Sequence, residues 1–214
     1  MSVLLIADDH PLYRDALRIS LEARLSDVTI LETADMSSTV DMLNKQPDID
    51  LLLLDLHMPG SEDLFGLLHI RKLYPDIPVA VVSGLEDPEL VSKVVNAGAM
   101  GFVPKVTSAD VIVEAIDEML EGEIWVPDTL SDQVSASNDE FSELADKVSS
   151  LTPSQYKVLC LLRDGLLNKQ IGFELGIAEK TVKTHVTSIF RKLDINNRTQ
   201  AVLIANQLKL TPPE

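Results

Sequence analysis

Short apolar runs alternate with longer amphipathic stretches along the first 121 residues of the chain. The apolar runs cover residues 3–7, 28–31, 51–54, 79–82 and 101–103. Apolar residues recur at helical spacing near residues 12–24, 36–45, 64–73, 88–97 and 108–120. Such repeats predict an α/β fold, a doubly wound five-stranded parallel sheet with helices on both faces. The run 51–54 contains only leucine, so this strand is expected at the centre of the sheet.

The pattern changes after residue 122. Residues 123–148 form a polar, acidic stretch that predicts a linker, although Trp125 within it is expected to pack on the preceding domain. Helical spacing alone is found beyond this stretch, which predicts an all-α, four-helix domain. Its helices are expected to begin near Pro153, Asn168, Glu179 and Arg198. We therefore predict a first domain over residues 1–122, a linker over 123–148 and a second domain over 149–214.

Charge divides along the same lines. The chain has a net charge of -16, but residues 1–122 hold 22 Asp and Glu against 8 Lys and Arg, whereas residues 149–214 hold 5 against 9. A basic C-terminal domain fits contact with nucleic acid, while the acidic part of the chain does not. The single cysteine, Cys160, lies in an apolar helical run, so a buried thiol in a reducing compartment is expected. No leader or membrane-length apolar run is found, so we expect a soluble cytoplasmic protein without membrane contact.

Chemically distinctive side chains follow four of the five predicted strands. Asp8 and Asp9 follow the first strand, Asp55 the third, Ser83 the fourth and Lys105 the fifth. The carboxyl ends of parallel strands meet at one edge of the sheet, where ligands bind. Carboxylates held close together repel one another, and a bound Mg²⁺ ion usually neutralises this repulsion. Mg²⁺ accepts oxygen ligands and leaves room in its coordination shell for a phosphoryl oxygen. With a hydroxyl and an ammonium nearby, this edge predicts a phosphate site.

Each of these residues has a simpler explanation when taken alone, since Asp often caps a helix and Lys is commonly solvated. Together with their neighbours, however, they resemble the receiver domains of the NarL/FixJ branch of response regulators, which have a flavodoxin-like fold. The resemblance covers the first 121 residues. The matching segments are IADDH (6–10), DLHMPG (55–60), VSG (82–84) and GAMGFVPK (98–105).

The resemblance implies a phosphoacceptor and a metal site. Asp55 would accept a phosphoryl group from the phosphohistidine of a sensor histidine kinase or from a small acyl phosphate. Asp9, Asp55 and the backbone carbonyl of His57 would bind Mg²⁺, and Asp8 would act through water. The side chains of His10 and His57 are expected to be structural or exposed, because no His/Cys cluster accompanies them and Mg²⁺ prefers oxygen.

The resemblance also implies supporting residues for the phosphoryl group. Ser83 and Lys105 would contact the phosphoryl oxygens, and Phe102 would be the aromatic switch that moves when Ser83 moves. Three departures from the family pattern are visible: Ser83 replaces the frequent Thr, Phe102 replaces the commoner Tyr, and Asp63 stands where relatives usually carry Gly. None of them removes a residue required for phosphotransfer.

The C-terminal domain resembles the LuxR-type helix-turn-helix over residues 149–210. The matching segments are LTPSQ (151–155), NKQIG (168–172), TVKTH (181–185), KL (192–193) and NR (197–198). Gln155 and Gln170 stand where Glu is usual, and Gly172 where Ala is usual. These departures soften helix contacts without touching the presumed DNA-reading face.

The third helix of this domain is amphipathic, with an apolar stripe formed by Val182, Val186, Ile189 and Leu193. A charged outer face is usually only solvated, but a helix-turn-helix sets its second helix into the major groove. The side chains expected to face bases are Lys183, Thr184 and Thr187. Those expected to meet phosphates, which position the protein without reading sequence, are Lys180, Thr181, Arg191 and Lys192. His185 is expected to be structural.

These expectations combine into a two-component response regulator that is not an enzyme. Phosphorylation of Asp55 by a sensor histidine kinase would control dimerisation and sequence-specific binding to double-stranded promoter DNA. A homodimer is expected because one small reading head binds a half-site weakly. An aspartyl-phosphate hydrolase is the enzymatic alternative, but it typically carries a second Asp where this chain has His57. A protein-protein adaptor is the other alternative, and the lysines retained on the outer helix face argue against it.

Overall fold

The computed structural model describes residues 2–46, 48–61, 64–131 and 139–208. The chain divides into two compact units, Met1–Asn138 and Asp139–Glu214, which we call the receiver unit and the C-terminal unit. Asp63, whose departure from the family pattern was noted above, lies outside the described residues.

A parallel sheet forms the centre of the receiver unit, with the strand order β2-β1-β3-β4-β5. The strands are β1 Ser2–Ala7, β2 Val28–Thr33, β3 Leu51–Asp55, β4 Val79–Ser83 and β5 Gly101–Pro104. This order confirms the predicted doubly wound, five-stranded sheet, and β3 is central and buried at every position. The strand order reverses between β1 and β3, which opens a crevice at their carboxyl ends.

Helices follow the strands as the apolar spacing predicted. They are α1 Pro11–Arg24, α2 Met36–Lys45, α3 Leu64–Leu73, α4 Pro88–Asn96 and α5 Ala109–Leu120. Proline occupies the first turn of α1 and of α4, where its missing N–H costs no hydrogen bond. The α1 and α5 residues Leu17, Leu21, Ile112 and Ile116 pack with β1, β3 and β4 in one hydrophobic core.

The first part of the predicted linker belongs to the receiver unit. Trp125 forms a parallel bridge with Gly101, donating its N–H to the Met100 carbonyl and accepting from the N–H of Phe102, both at 3.0 Å. A side chain at Gly101 would place its Cβ 2.6 Å from the Trp125 oxygen, so this pairing requires glycine. A short helix, α6 Asp128–Ser131, follows with Leu130 buried. The expectation that Trp125 packs on the first domain is confirmed.

The last part of the predicted linker is a helix of the C-terminal unit, α7 Asp139–Ser149. Phe141, Ala145 and Val148 are buried at positions spaced as one face of a helix requires. The prediction of a linker over 123–148 is therefore wrong at both ends. The acidic and small polar residues between those apolar positions concealed the pattern.

The rest of the C-terminal unit confirms the predicted four helices. They are α8 Pro153–Arg163, α9 Asn168–Glu174, α10 Glu179–Leu193 and α11 Arg198–Gln207. Thr152 and Gln155 form a capping box at the start of α8, and Asn197 caps α11. Gly172 lets α9 approach the next turn, since a Cβ there would lie 2.7 Å from the Ile177 oxygen. Within the described residues, no helix combines the length and apolar character that a bilayer span requires.

Candidate functional site

The carboxyl edge of the sheet brings the predicted receiver residues together. Asp8 follows β1, Asp55 ends β3 and Ser83 ends β4, while Lys105 follows β5. Asp8 and Asp55 are almost fully buried, at 1% and 2% exposure. Buried carboxylates are costly unless they are paired. Both carboxylates of this crevice are therefore expected to have a positively charged or hydrogen-bonding partner.

Lys105 is the cation that joins the two buried carboxylates. Its Nζ lies 2.6 Å from Oδ2 of Asp8 and 2.8 Å from Oδ2 of Asp55. Burial opposes the charged ammonium, but hydrogen bonds and attraction from Asp55 and Asp8 outweigh it and raise the pKa of Lys105. Lys105 is therefore a positive charge held within hydrogen-bond distance of both buried carboxylates.

His10 and Asp9 complete a candidate metal centre. Nδ1 of His10 lies 2.7 Å from Oδ1 of Asp9 and 3.1 Å from Oδ1 of Asp8. One ligand atom each from Asp8, Asp9, His10 and Asp55 lies within 4.8 Å of the others, so this group could bind a metal ion. The carboxylate oxygens suit a hard divalent cation. The side chain of His10 is 65% exposed, as expected for a surface residue, although its Nδ1 lies beside the acidic cluster.

Hydrogen bonds order the main chain around Asp55 and Ser83. The N–H of His57 donates to Oδ1 of Asp55 at 3.1 Å, which places the His57 backbone beside the phosphoacceptor candidate. Ser83 is fully buried, and its Oγ accepts from the N–H of Leu85 at 3.1 Å. The Ser83 carbonyl accepts from the N–H of Lys105 at 2.8 Å, so the hydroxyl and the ammonium candidates are held by neighbouring strand ends.

Phe102 is fully buried in β5, one residue from the bridge that Gly101 makes with Trp125. Its N–H donates to the Trp125 carbonyl. The expected switch residue is therefore packed inside the fold and is hydrogen-bonded to the segment that leaves α5. Packing of Trp125 on this domain was expected from the sequence, but its hydrogen bond to the backbone of Phe102 was not.

Tyr13 is a site residue that the sequence interpretation did not identify. It lies in the first turn of α1, and Nζ of Lys105 stands 5.0 Å from the centroid of its ring. Burial and the negative charges of Asp8 and Asp55 raise the pKa of Tyr13. A cleft of about 660 Å³ is lined by His10, Leu12, Tyr13, Asp55, His57, Gly84, Leu85 and Lys105. No motif in the sequence marks Tyr13, because it joins the site only through the packing of the start of α1 beside Lys105.

The second candidate site is the outer face of α10. Val182, Ile189 and Leu193 are buried, and Val186 is half-buried, which confirms the predicted apolar stripe. Six of the seven side chains that were predicted to contact DNA are exposed. They are Lys180, Thr181, Lys183, Thr184, Thr187 and Arg191. His185, expected to be structural, is half-buried.

Hydrogen bonds within α10 fix part of this face. The hydroxyls of Thr184 and Thr187 donate to the carbonyls of Lys180 and Lys183, one turn earlier, at 3.1 and 2.9 Å. Lys183 pairs with Glu179 at 2.8 Å, and the two side chains are 63% and 45% exposed. Exposed pairs of this kind contribute little to stability, so Lys183 exchanges its partner at little cost.

Lys192 does not join the exposed face. Its Nζ donates to the Ser150 carbonyl at 2.6 Å and to Oε1 of Gln155 at 2.8 Å. Gln155 in turn donates to Oγ of Ser188 at 3.0 Å. The expectation that Lys192 meets a phosphate is therefore wrong, because its long side chain reaches back across α10 to the start of α8.

Two family descriptions match this chain. "Response regulator receiver domain" matches residues 4–117, and "Bacterial regulatory proteins, luxR family" matches residues 149–205. Together they cover most of the chain. The first match runs from β1 into α5 and so contains the sheet, and the second contains α8, α9, α10 and most of α11.

Similar proteins match over nearly their whole length. A glycerol metabolism activator of Pseudomonas putida is 39% identical over 216 residues, covering 99% of this chain and 98% of its own. The nitrate/nitrite response regulator NarP of Escherichia coli K12 is 32% identical, covering 94% and 93%. RcsB of Salmonella enterica serovar Typhimurium, solved bound to promoter DNA in the presence of the phosphomimetic BeF₃⁻, is 26% identical with a TM-score of 0.57, covering 95% and 97%.

Proposed function

Because the chain belongs to the response regulators that join a receiver to a LuxR-type DNA-binding domain, we propose that phosphorylation of Asp55 by a sensor histidine kinase controls its dimerisation and its sequence-specific binding to promoter DNA. The observation that carries the proposal is the ammonium of Lys105 shared between the buried carboxylates of Asp8 and Asp55. This arrangement keeps a positive charge beside the carboxylate that would accept the phosphoryl group.

The chemistry assigned to the crevice is phosphoryl transfer to a carboxylate. A carboxylate oxygen of Asp55 attacks phosphorus, and the bond from phosphorus to the donor breaks, whether the donor atom is a histidine nitrogen or an acyl phosphate oxygen. Positioning and charge compensation matter most in such a reaction. The ammonium of Lys105 would compensate the negative charge of the phosphoryl oxygens. The Ser83 hydroxyl, whose oxygen accepts from Leu85, keeps its own proton to donate to one of them.

Mg²⁺ is the metal we assign to the acidic cluster, since the donor set is dominated by carboxylate oxygens. Asp9, Asp55 and the His57 carbonyl would hold it, with Asp8 acting through water. When bound, Mg²⁺ supplies positive charge to the phosphoryl oxygens. The largely exposed ring of His10 can turn to solvent and leave Asp9 to the metal.

On α10 we assign base contacts to Lys183, Thr184 and Thr187, and phosphate contacts to Lys180, Thr181 and Arg191. Exposure of all six side chains on one helix supports this assignment. A single reading helix covers few bases, so a homodimer on paired half-sites is proposed. RcsB has been solved as dimers bound to DNA. We place the protein in the cytoplasm, where the chromosome is, and infer a regulator rather than an enzyme because His57 stands where a phosphatase of this kind would need a second acid.

The test is phosphorylation of the full chain by a small acyl phosphate with Mg²⁺, read by intact mass. The wild type is expected to gain one acid-labile, hydroxylamine-sensitive phosphoryl group, and Asp55→Asn is expected to gain none. Asp76→Asn is the matched control, because Asp76 is exposed in the turn before β4 and is not among the residues that line the cleft. Equal labelling of Asp55→Asn and wild type would overturn the assignment.

A further inference from the structure

Tyr13 shares the cleft with the groups that would handle the phosphoryl group. Its ring packs against the hydrophobic core of the receiver unit and presents a face to Nζ of Lys105, 5.0 Å from the ring centroid. A cation within about 6 Å of an aromatic centroid is attracted by the negative face of the ring. Because packing already holds the ring in place, the Tyr13 side chain loses little conformational freedom when the Lys105 ammonium contacts it.

The other two partners of Lys105 change when Asp55 is phosphorylated. Asp55 gives one carboxylate oxygen to the acyl phosphate bond and loses its full negative charge, and Asp8 would share its charge with Mg²⁺ when the metal is bound. The ammonium has three N–H donors, of which two are directed at these carboxylates. The ring face of Tyr13 is a contact that phosphorylation leaves unaltered, so it holds Lys105 over the site during the transfer.

The ring and the hydroxyl of Tyr13 are separable. The hydroxyl is buried and has no hydrogen-bond partner among the described residues, so it contributes nothing visible to the position of Lys105. Phenylalanine would present the same ring face without this buried polar group. Leucine or methionine would fill the space without a ring.

We infer that Tyr13 is a positioning residue for phosphoryl transfer, the face of its ring holding the Lys105 ammonium in place while Asp55 accepts the phosphoryl group. The inference rests on the proposed function and adds to it a residue of α1 that acts through Lys105.

The experiment measures the initial rate of phosphorylation against acyl phosphate concentration for the full chain at fixed Mg²⁺. Tyr13→Phe should keep the maximal rate of the wild type. Tyr13→Leu should lower it about 3- to 30-fold, the range expected for loss of a cation–π contact at a partly desolvated site. Tyr13→Met replaces Tyr13→Leu if the latter does not fold, since methionine adapts to irregular gaps.

A double-mutant cycle with Lys105→Ala separates positioning from a general loss of structure. If Tyr13 acts through Lys105, then Tyr13→Leu should cause no further loss of rate in the Lys105→Ala background. Independent, multiplying losses would overturn the inference. So would a Tyr13→Phe rate as low as that of Tyr13→Leu, which would assign the role to the hydroxyl.

The outcomes of this experiment also distinguish failure of this inference from failure of the proposed function on which it rests. A wild type that gains no phosphoryl group overturns the proposed function and the role of Tyr13 with it. A wild type that is labelled at Asp55, with Tyr13→Leu labelled equally fast, overturns the role of Tyr13 alone.

Discussion

In the receiver unit the charged groups of the candidate site lie inside the fold, whereas on α10 they lie on an open helix face. Asp55 and Lys105 are 50 residues apart in the chain and meet because β3 and β5 end at the same edge of the sheet. Lys183 meets Glu179 only one helical turn away, and its side chain is 63% exposed. One site depends on the topology of the whole unit and the other on a single helix.

The difference has consequences for what each substitution should do. Charges in a crevice of low polarity interact strongly and share partners, so removing one of them disturbs all the others. Charges on an exposed helix are screened by salt, and their contributions to DNA binding are smaller and nearly independent. We therefore expect large, coupled effects in the crevice and moderate, salt-dependent effects on α10.

The largest effect is expected for Lys105→Met, which removes the cation shared by Asp8 and Asp55. Its rate of phosphorylation by an acyl phosphate should fall about 100- to 1000-fold, as for other fixed groups that stabilise developing charge. Time courses by intact mass measure it. Lys72→Met, exposed on α3, serves as the control and should match the wild type. A comparable rate for both variants would show that the crevice does not use its cation.

A moderate effect is expected for Lys183→Ala on DNA binding. If Lys183 contacts a base, the variant should lose about 1 to 3 kcal/mol of affinity at the specific site and little on random DNA. Lys180→Ala should instead weaken binding to both DNAs alike and reduce the slope of log affinity against log salt by about 1. Titrations over a range of salt concentrations distinguish the two. If neither substitution changed the affinity for the specific site, α10 would not be part of the DNA interface.

A smaller effect is expected from the metal. Mg²⁺ binding to the acidic cluster should raise the free energy of unfolding of the unphosphorylated protein by about 1.4 kcal/mol at about ten times its Kd. Asp9→Asn should reduce this gain, because it removes one carboxylate of the cluster. Denaturant unfolding with Mg²⁺, against NaCl of equal ionic strength, measures the difference. Equal gains in wild type and Asp9→Asn would place the metal elsewhere.

The smallest effect is a change of stability in alkaline solution. The raised pKa values of Lys105 and Tyr13 mean that their contributions are fully present below the unfolded pKa values, near pH 10, and are lost as pH rises through the folded ones. Between about pH 10 and 12 the wild type should lose unfolding free energy more steeply than Lys105→Met. Parallel curves for the two proteins would contradict the pairing of Lys105 with the carboxylates.

The residues that sequence analysis located correctly are those fixed by periodicity. Asp8, Asp55, Ser83 and Lys105 were placed because apolar runs mark strands, and parallel strands deliver their last residues to one edge. Helix α10 was located because its apolar positions repeat every three or four residues.

The residues that it missed depend on packing between elements. Tyr13 belongs to the crevice because the start of α1 faces the end of β5, a relation that no local pattern encodes. Lys192 lies on the helix where a phosphate contact was expected, but its side chain donates to the Ser150 carbonyl in the turn before α8 and to Gln155 in the first turn of α8. The α7 helix was missed because its three buried apolar residues are separated by acidic and polar residues that hide the helical spacing.

The central claim is that the state of Asp55 controls the affinity of the α10 face for DNA. It is tested most directly by titrating a fragment selected from genomic DNA with the full chain in Mg²⁺, with and without BeF₃⁻. We expect tighter and more cooperative binding by the wild type when BeF₃⁻ is present, and no such gain for Asp55→Asn. Equal affinity of the wild type under both conditions, or the same gain in Asp55→Asn, would contradict the account.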